Sequence, residues 1–569
     1  MAEAKKDEKE VLSDIKTLFE HLKTKRKVHE GEWQDVTTYI GSKNFDWEEA
    51  KDEVKRPKRH TGRPAEYLDK LVSGLMGYTI SPNVTWLKLS LSDSSMLDYT
   101  GVKDWLENAE KALYEEFNRN NLYTEAPAFI SNAAQFGHGV MLIDEKKEAA
   151  IRFMTVSAPE VYIATNEYGD IDTVCRYFSM TVKNIVARFG LENVSETMRK
   201  DYEDAQGKQK EIKILHAVFP RENYDSNKLD DKNMAYASFY VDMDGDAILE
   251  ESGYHELPYS VFIWERITAS AYGDSPARKA IPDMRLLNKA EEARLKLAQL
   301  AAEPPMNVPD SMRGVESVVP AGFNYYESPD EIMMPINIGA NFPITLDTVR
   351  DIEARIKDKF NVDFMLMLQA QAAQKTATEV VELQGEKAAM LTSLIVNQNK
   401  ALSEIVRRTF NIMYRQGRLP ETPAILNNSG ASLNIDFIGP LAQAQKKHHQ
   451  SGGVQMSLML AQPVLRLSPE SVDYINGDAL LKNVLETNGF PQTAIREEEE
   501  VQKMRQARAE AQMQAMQMQA MQQQQEALMG NYDKLNEPVK EGSPIQELSE
   551  QLQTGLGGEA DDGAQYGTV

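Results

Sequence analysis

The chain has 569 residues, 42% of them hydrophobic and 26% charged, so it is long enough for several globular domains with substantial cores. Its formal net charge of −24 excludes a protein that grips nucleic acid over its whole surface, because such binding depends on neutralising phosphates with Lys and Arg. A single cysteine, Cys175, excludes an intrachain disulfide framework and is typical of a reducing compartment. No run approaches the ~18 consecutive apolar residues of a membrane span, and the charged stretch MAEAKKDEKEVLSDIKTLFEHL does not resemble a signal peptide. We therefore expect neither a membrane partner nor export.

The first quarter of the chain carries helical periodicity, interrupted by a polar segment at 41–62. Its apolar spacing predicts helices at 8–40, 63–78, 101–119 and 124–137, and short strands in SPNVTWLKLSLSD and VMLIDE. The cluster KRPKRH at 55–60 has two interpretations, a phosphate contact or a solvated loop, and the loop is favoured. His138 lies in Phe136-Gly-His-Gly139 without a nearby Ser, Cys or acidic partner in a recognisable order, which favours a turn residue over a catalytic base.

Residues from about 150 to 265 are predicted to be β-rich. The predicted strands lie in IRFMTV, EVYIATN, DTVCRYFSM, EIKILHAVFP, ASFYVDMD and SVFIWER. Turn residues predict hairpin tips at Asn166–Gly169 and Asp242–Gly245. The second tip, DMDGD, resembles part of a calcium loop, but Gly245 comes too early for an EF-hand, so a plain hairpin is favoured.

A projecting arm is predicted between Ala271 and Val381. It comprises a long helix at 276–303, a Pro- and Gly-punctuated β-like excursion at 306–345, a returning helix in LDTVRDIEARIKDKF, and the uncharged segment MLMLQAQAAQ. The first helix has an apolar arc too broad for one packing partner, so we expect it to contact both the returning helix and a neighbouring subunit. The remaining strip, with Arg285, Lys289 and Lys296, either faces DNA in a channel or is an ordinary solvated face, and the sequence leaves both open.

The last third is predicted to be mainly helical. The longest helix is expected at 379–417, with a capping box at Thr376-x-x-Glu379 and Gly417 at its C-terminal cap. A strand in LNIDFIG and further helices are expected within 433–490, and Lys446-Lys-His-His449 favours a solvated helix end over a metal site. A Gln- and Met-rich helix at 494–530 and a disordered acidic tail at 531–569 follow.

Motifs for nucleotide, dinucleotide, hydrolase and metal chemistry are missing from the sequence. There is no G-x-x-x-x-G-K-[ST], G-x-G-x-x-G, G-x-S-x-G, H-E-x-x-H or paired C-x-x-C. No pair of carboxylates stands out among the 87 acidic residues. We therefore expect no cofactor, no metal and no enzyme activity.

Several segments carry a family likeness in their order and spacing. They are YLDKLVSGLMGYTISPNVTWLKL, FISNAAQFGHGVMLID, YGDSPARKAIPDMRLLN with its helix, proline stop and return, FNVDFMLMLQAQAAQKTATEVVELQGEKAAML, and IDFIGPLAQAQ. Over roughly residues 10–490, the chain resembles the portal proteins, or head-to-tail connectors, of short-tailed bacteriophages. The Gln- and Met-rich end and the acidic tail lie outside this resemblance.

The resemblance implies a predominantly helical α+β portal fold. The implied regions are a wing at 1–270, a first stem helix at 271–303, a clip at 304–345, a second stem helix at 346–364, a channel loop at 365–378, wing and crown helices at 379–480, crown and a candidate helical barrel at 481–530, and the tail at 531–569. In this family a separate terminase ATPase drives packaging, which agrees with the missing nucleotide motif.

The resemblance also implies a location and partners. The protein would assemble in the host cytoplasm and occupy the head-tail junction of the virion as a homo-oligomeric ring, usually a dodecamer. Its expected partners are the terminase large subunit, a tail adaptor, the major capsid and scaffolding proteins, and double-stranded DNA that passes through the channel without sequence specificity. The implied channel residues are Gln369, Gln371, Gln374, Lys375, Arg285, Lys289 and Lys296. The clip docking residues are expected to be Arg313, Tyr325, Tyr326 and Glu327.

Two other functions remain open at this point. The Gln- and Met-rich helix and acidic tail would also suit an internal core or scaffold-like virion protein. Ungrouped carboxylates leave room for a nuclease or peptidase, although nothing in the sequence supports one.

Overall fold

The computed structural model describes most of the chain, with gaps in both halves. The described residues are 8–40, 58–93, 95–96, 99, 101–145, 151–225, 228, 230–268, 270–302, 306–307, 334–335, 342–369, 391–429, 433–439, 473, 476–487, 496 and 498–535. They belong to two compact units, Met1–Phe490 and Pro491–Val569. The fold mixes helices with antiparallel sheets, as the α+β prediction requires.

The N-terminal part of the first unit is a layer of helices with one short strand. Its elements are α1 (Glu8–Ile40), α2 (Arg63–Thr79), β1 (Leu87–Leu91), α3 (Val102–Arg119) and α4 (Leu122–Phe136). In α1, Ile15, Phe19, Leu22, Trp33 and Val36 recur at helical spacing and are buried. This apolar face spans two core clusters, so α1 links the helical layer to the β-rich part of the unit.

A five-stranded antiparallel meander follows. Its strands, adjacent in chain order, are β4 (Val161–Thr165), β5 (Ile171–Thr181), β6 (Glu211–Pro220), β7 (Tyr236–Asp242) and β8 (Ala247–Tyr254). Both predicted hairpins are confirmed, between β4 and β5 and between β7 and β8. At the second tip, Asp242 is buried, and its carboxylate accepts hydrogen bonds from the amides of Asp244 and Gly245 at 3.1 and 2.9 Å. This carboxylate therefore orders a turn.

Two short helices inserted between β5 and β6 were not predicted. They are α5 (Val182–Phe189) and α6 (Glu196–Glu203). Thr181 and Ser195 cap them by accepting the amides of Asn184 and Met198. They bury a small apolar cluster against β6, β7 and β8.

A three-stranded antiparallel sheet forms the other β layer. Its order is β3 (Ile151–Val156), β2 (His138–Glu145), β9 (Tyr259–Ile263). Helix α4 packs on this sheet, and α10 (Thr392–Arg415) contacts β9 and β2. The largest hydrophobic core lies among these elements and the N-terminal helices.

The long-helix arm consists of α7 (Pro276–Ala302), β10 (Met306–Asn307), β11 (Met334–Pro335), α8 (Phe342–Lys359) and α9 (Val362–Gln369). Strands β10 and β11 pair antiparallel, which brings the two ends of the excursion together. The returning helix starts four residues earlier than predicted. It is separated from α9 by Asn361, whose φ of 50° lies in the left-handed region that ends a helix.

The expected channel loop at 365–378 requires a correction at its start. Residues 365–369 continue α9, and Phe364 and Met365 are buried against the body. Burial of its apolar side chains therefore favours a helix, and not a loop, in this part of MLMLQAQAAQ. Residues 370–390, which include the capping box at 376–379, lie outside the described residues, and α10 is described from Thr392.

Near the C-terminal end of the first unit are α11 (Ala424–Ser429), β12 (Leu433–Phe437) and α12 (Gly477–Thr487). Strand β12 pairs antiparallel with β1, joining distant parts of the chain. Lys446–His449 lies outside the described residues.

The second unit contains α13 (Glu498–Leu535). This helix was predicted at 494–530, with a disordered tail from 531. The helix instead continues through residue 535.

No helix among the described residues is both long and apolar enough to cross a bilayer.

Gly74 gives a test of how α9 packs on α2. A Cβ at Gly74 would lie 2.6–2.9 Å from three atoms of the Met365 side chain, one of which is the Cβ of Met365. Gly74→Ala must therefore displace α9. We expect a loss of about 1–3 kcal/mol in the free energy of unfolding, typical of overpacking, measured by chemical denaturation.

The matched control is Gly77→Ala in the same helix, because a Cβ there meets nothing within 4 Å. Helix propensity predicts that this variant is stabilised by up to about 1 kcal/mol. Equal stabilities for the two variants would show that Met365 does not pack against Gly74.

Candidate functional site

The start of α7 is fixed by a close crossing of two glycine segments. A Cβ on Gly137 would lie 2.1 Å from the carbonyl oxygen of Gly273, and the φ of Gly137 is 85°. Glycine is therefore needed both for space and for the left-handed backbone that ends α4. Beside the crossing, Ser275 donates a hydrogen bond to the carbonyl of Gln135 at 2.8 Å and accepts the amide of Arg278 at 3.1 Å. Ser275 thus starts α7 and ties it to the end of α4.

Helices α7 and α8 pack as a hairpin near the body. The side chains buried between them are those of Met284, Leu287, Val349, Ile352 and Ile356. Asp283, 13% exposed, pairs with Lys359 and lies 3.6 Å from Arg355. The hairpin is thus held by apolar burial and a carboxylate placed between two cations.

Beyond Ala290, α7 has no buried side chain among those described. Three leucines of this helix are exposed, Leu286 at 46%, Leu295 at 51% and Leu300 at 37%, whereas Leu287 is buried. Placed at 100° per residue, Leu286 and Leu300 lie on one side of the helix and Leu295 on the opposite side. The broad apolar arc seen in the sequence is therefore only partly covered by the chain itself, which leaves apolar surface available to a partner.

The cations of the predicted channel strip lie close to carboxylates. Arg285 pairs with Asp35 of α1, and Lys296 lies 2.7 Å from Glu292 one turn earlier. Lys296 is the main cause of the lowered pKa of Glu292. Lys289 is exposed on the same strip. The strip is therefore a mixed-charge surface with a weak net field, whichever partner it faces.

The other predicted channel and docking residues have little or no described structure. Gln369 is the last residue of α9. The remaining positions lie outside the described residues: Gln371, Gln374, Lys375, Arg313, Tyr325, Tyr326 and Glu327. Their roles stay predictions.

His138 is placed differently from the prediction. It begins strand β2, is 1% exposed, and lies against the rings of Trp33 and Tyr272. Burial lowers its pKa to about 3, so it is a neutral core residue. Its interpretation as a turn residue was wrong, because long-range packing of α1 against β2 encloses it.

A second buried histidine, His216, was missed from the sequence. Its ring stacks on Tyr240 at 4.0 Å and contacts the hydroxyls of Tyr259 and Ser238 at 2.6 and 3.1 Å. Desolvation lowers its pKa well below the usual value. Its only sequence signal was its position in the apolar strand EIKILHAVFP. The contacts show a structural link between β6, β7 and β9.

Cys175 and Glu256, two further residues that could carry chemistry, also lie in structural environments. Cys175 is fully buried, and desolvation raises the pKa of its thiol to about 12. Glu256, next to His255, accepts hydrogen bonds from Arg408, Asn411 and Arg415 of α10. Within the described ranges, no three His, Cys, Asp or Glu side chains are grouped to hold a metal ion.

The fold therefore defines a mixed α and β body that carries a long helical hairpin with exposed apolar residues, and comparisons with known proteins identify the class. The chain belongs to the bacteriophage head-to-tail connecting protein family, whose family model matches residues 12–495. This family is structural, and it places the protein at the head-tail junction of the phage virion, where it acts as a head-tail connector.

Two relatives resemble nearly the whole chain. One is the portal protein of Salmonella phage epsilon15, with 32% identity over 502 residues, covering 86% of this chain and 89% of the relative. The other is the probable portal protein of Bordetella phage BPP-1, with 27% identity over 508 residues, covering 86% of this chain and 90% of the relative.

Asp283 provides a test of the hairpin geometry. Replacing it with Asn should lower the free energy of unfolding by about 1 kcal/mol, because a 13% exposed carboxylate is lost, although its partners Lys359 and Arg355 are 34% and 56% exposed. Thermal or chemical unfolding measures this effect.

Asp347→Asn is the control on the same hairpin. Asp347 pairs with Arg350 at 3.8 Å, but both side chains are about three-quarters exposed, at 74% and 76%. Removing that pair should change stability very little. If both variants lose the same amount, the Asp283 cluster does not hold the hairpin together.

Proposed function

We propose that this protein forms the portal ring of its phage at one vertex of the capsid. The carrying observation is the set of exposed leucines on α7, in a chain whose family is defined by the head-tail junction. Covering a fully exposed Leu is worth about 1.5–3 kcal/mol, so half-exposed leucines repeated in every subunit favour side-by-side packing of hairpins. The relatives named portal protein support the same proposal. Twelve subunits is the number we infer for the ring.

In this proposal, residues 271–303 and 346–364, which contain α7 and most of α8, form the stem. Residues 304–345 form the clip, and residues 1–270 form the wing. Residues 379–480 continue into wing and crown, and residues 481–530 form further crown and a helical barrel. The antiparallel pairing of β10 with β11 supports the clip, because it holds the excursion's ends together at the far end of the hairpin.

The ring serves as the channel for genome packaging and ejection. Its clip, with Arg313, Tyr325, Tyr326 and Glu327, docks the terminase large subunit and later the tail adaptor. The outer body meets the major capsid and scaffolding proteins during assembly in the host cytoplasm. We propose no catalytic step for this protein.

Passing DNA meets Gln369, Gln371, Gln374, Lys375 and the strip of Arg285, Lys289 and Lys296. A channel must let DNA slide, and strong phosphate binding would oppose sliding. The carboxylates beside Arg285 and Lys296 support this assignment, because they weaken the hold of these cations on phosphate. A net charge of −24 acts in the same direction.

Leu295→Lys tests the subunit contact. Placing a charge in an apolar interface should reduce the fraction of protein in rings, while the isolated subunit keeps its fold because Leu295 is half exposed. Light scattering after size exclusion and negative-stain images measure ring formation.

Leu191→Lys is the matched control. Leu191 has a similar exposure of 45% but lies in the loop between α5 and α6. It should assemble normally. Rings of normal yield from Leu295→Lys would mean that the α7 leucines do not form the subunit contact.

Lys375→Glu tests the channel assignment. Rings should assemble as in the unmodified protein, but the amount of packaged DNA or its retention should change, because a like charge replaces an attractive one beside the phosphates. Packaging yield and DNA release from purified heads are the measurements. Unchanged packaging and retention would remove Lys375 from the channel surface.

A further inference from the structure

The tip of the β4–β5 hairpin is internally well ordered. The side-chain oxygen of Asn166 accepts the amides of Tyr168 and Asp170 at 3.0 and 2.9 Å, and the amide of Gly169 donates to the carbonyl of Asn166 at 3.0 Å. Tyr168 projects from this turn with 80% of its surface exposed. The turn therefore presents one aromatic side chain on a compact support.

Two cations attach this tip to the rest of the body. Arg266, which follows β9, donates a hydrogen bond to the carbonyl of Gly169. Lys400, on α10, pairs with the carboxylate of Asp170. Both contacts lie on exposed side chains, so each is weak enough for a local change to shift it.

A cavity of about 30 Å³ lies directly beneath these contacts, between β5, β9 and α10. Its walls include the apolar side chains of Ile171 and Val261, and its polar members include Arg266, Lys400 and Glu404. This space is sufficient for about one water molecule. Glu404 thus lines the same small cavity as both cations that hold the hairpin tip.

Burial raises the pKa of Glu404 to about 7, although Lys400, the Val261 amide, the Ser260 hydroxyl and Arg407 act to lower it. The charged or titratable groups around Glu404 are Lys400 and Arg407 on its own helix, Arg266 in the same cavity, and Tyr236. Asp170 lies against Lys400, and Asp172 acts on Tyr236. The Lys400 contact lowers the pKa of Asp170, so Asp170 stays ionised throughout the neutral range. Of the two carboxylates near Lys400, only that of Glu404 changes its charge near pH 7.

Lys400 and Glu404 lie one helical turn apart on the same side of α10, a spacing at which opposite charges attract. We propose that Glu404 is a proton-linked switch that competes with Asp170 for Lys400 and so controls how firmly the β4–β5 hairpin tip is held. Below pH 7 Glu404 is neutral and Lys400 stays with Asp170. Above pH 7 the ionised Glu404 draws Lys400 away, and the tip keeps its Arg266 contact.

Amide hydrogen exchange of the full-length protein at pH 6 and pH 8 tests this switch, after correction for the intrinsic effect of pH on exchange. Peptides covering 164–172 should exchange about two- to five-fold faster at pH 8, the size expected for loss of one surface ion pair. Glu404→Gln should show slow exchange at both pH values. Lys400→Gln should show fast exchange at both, and its exposed position makes folding of this variant secure.

Glu110→Gln is the matched control. Glu110 is another carboxyl group whose pKa burial raises to about 7, but it accepts the Leu89 amide in a different part of the body. This variant should keep the full pH response of the hairpin. The proposal is overturned if exchange of the hairpin peptides in the unmodified protein does not depend on pH, or if Glu404→Gln retains that pH dependence. Slow exchange of these peptides in Lys400→Gln at pH 6 would also overturn it. Equal acceleration of the β9 amides at 259–263 would also overturn it, because that result means general loosening around a buried charge.

Discussion

The close approach of Gly137 to Gly273 is the contact on which the long-helix arm depends. It allows the backbone after β9 to cross the end of α4 without a side chain between them. The amide of Trp264 donates to the carbonyl of Gly137 at 3.0 Å, and Ser275 then starts α7 from the same place. Since α7 supports α8 and the excursion, the direction of the whole arm is set where two glycines meet.

Buried cations join the helices to the sheets around that origin. Arg26 of α1 donates to the carbonyls of Pro159 and Val161 and lies 3.6 Å from the centre of the Tyr162 ring. Arg408 of α10 donates to the carbonyl of Ile143 at 2.9 Å and pairs with Glu256. Removing either side chain would leave buried carbonyls without their donors, which costs more than the net value of the bonds. The body is therefore cross-linked by polar contacts as well as by its apolar core.

Local chemistry made much of this fold predictable. The two hairpin tips were predicted correctly because Asn166, Gly169 and Gly245 are residue types that favour turns. Helix α7 was predicted from its long apolar periodicity and the prolines that follow it. The break between α8 and α9 at Asn361 was not predicted, because no glycine or proline marks it in the sequence. The predicted wide arc on α7 agrees with the partial exposure of Leu286 and Leu295. The contacts of Arg285 and His138 could not be predicted from the sequence, because the residues that pair with Arg285 or bury His138 lie far away along the chain.

The pairing of β1 with β12 has a consequence for how the protein is made. Leu87 lies opposite Phe437, so the N-terminal layer gains its partner strand only after most of the chain has left the ribosome. Contacts between such distant residues form slowly, because a long loop must close first. Until then Leu87 and Leu89, buried in the finished fold, lie beside an unpaired strand edge. The nascent chain therefore passes through a stage with an unpaired strand edge that favours wrong association, and pairing with β12 ends that stage.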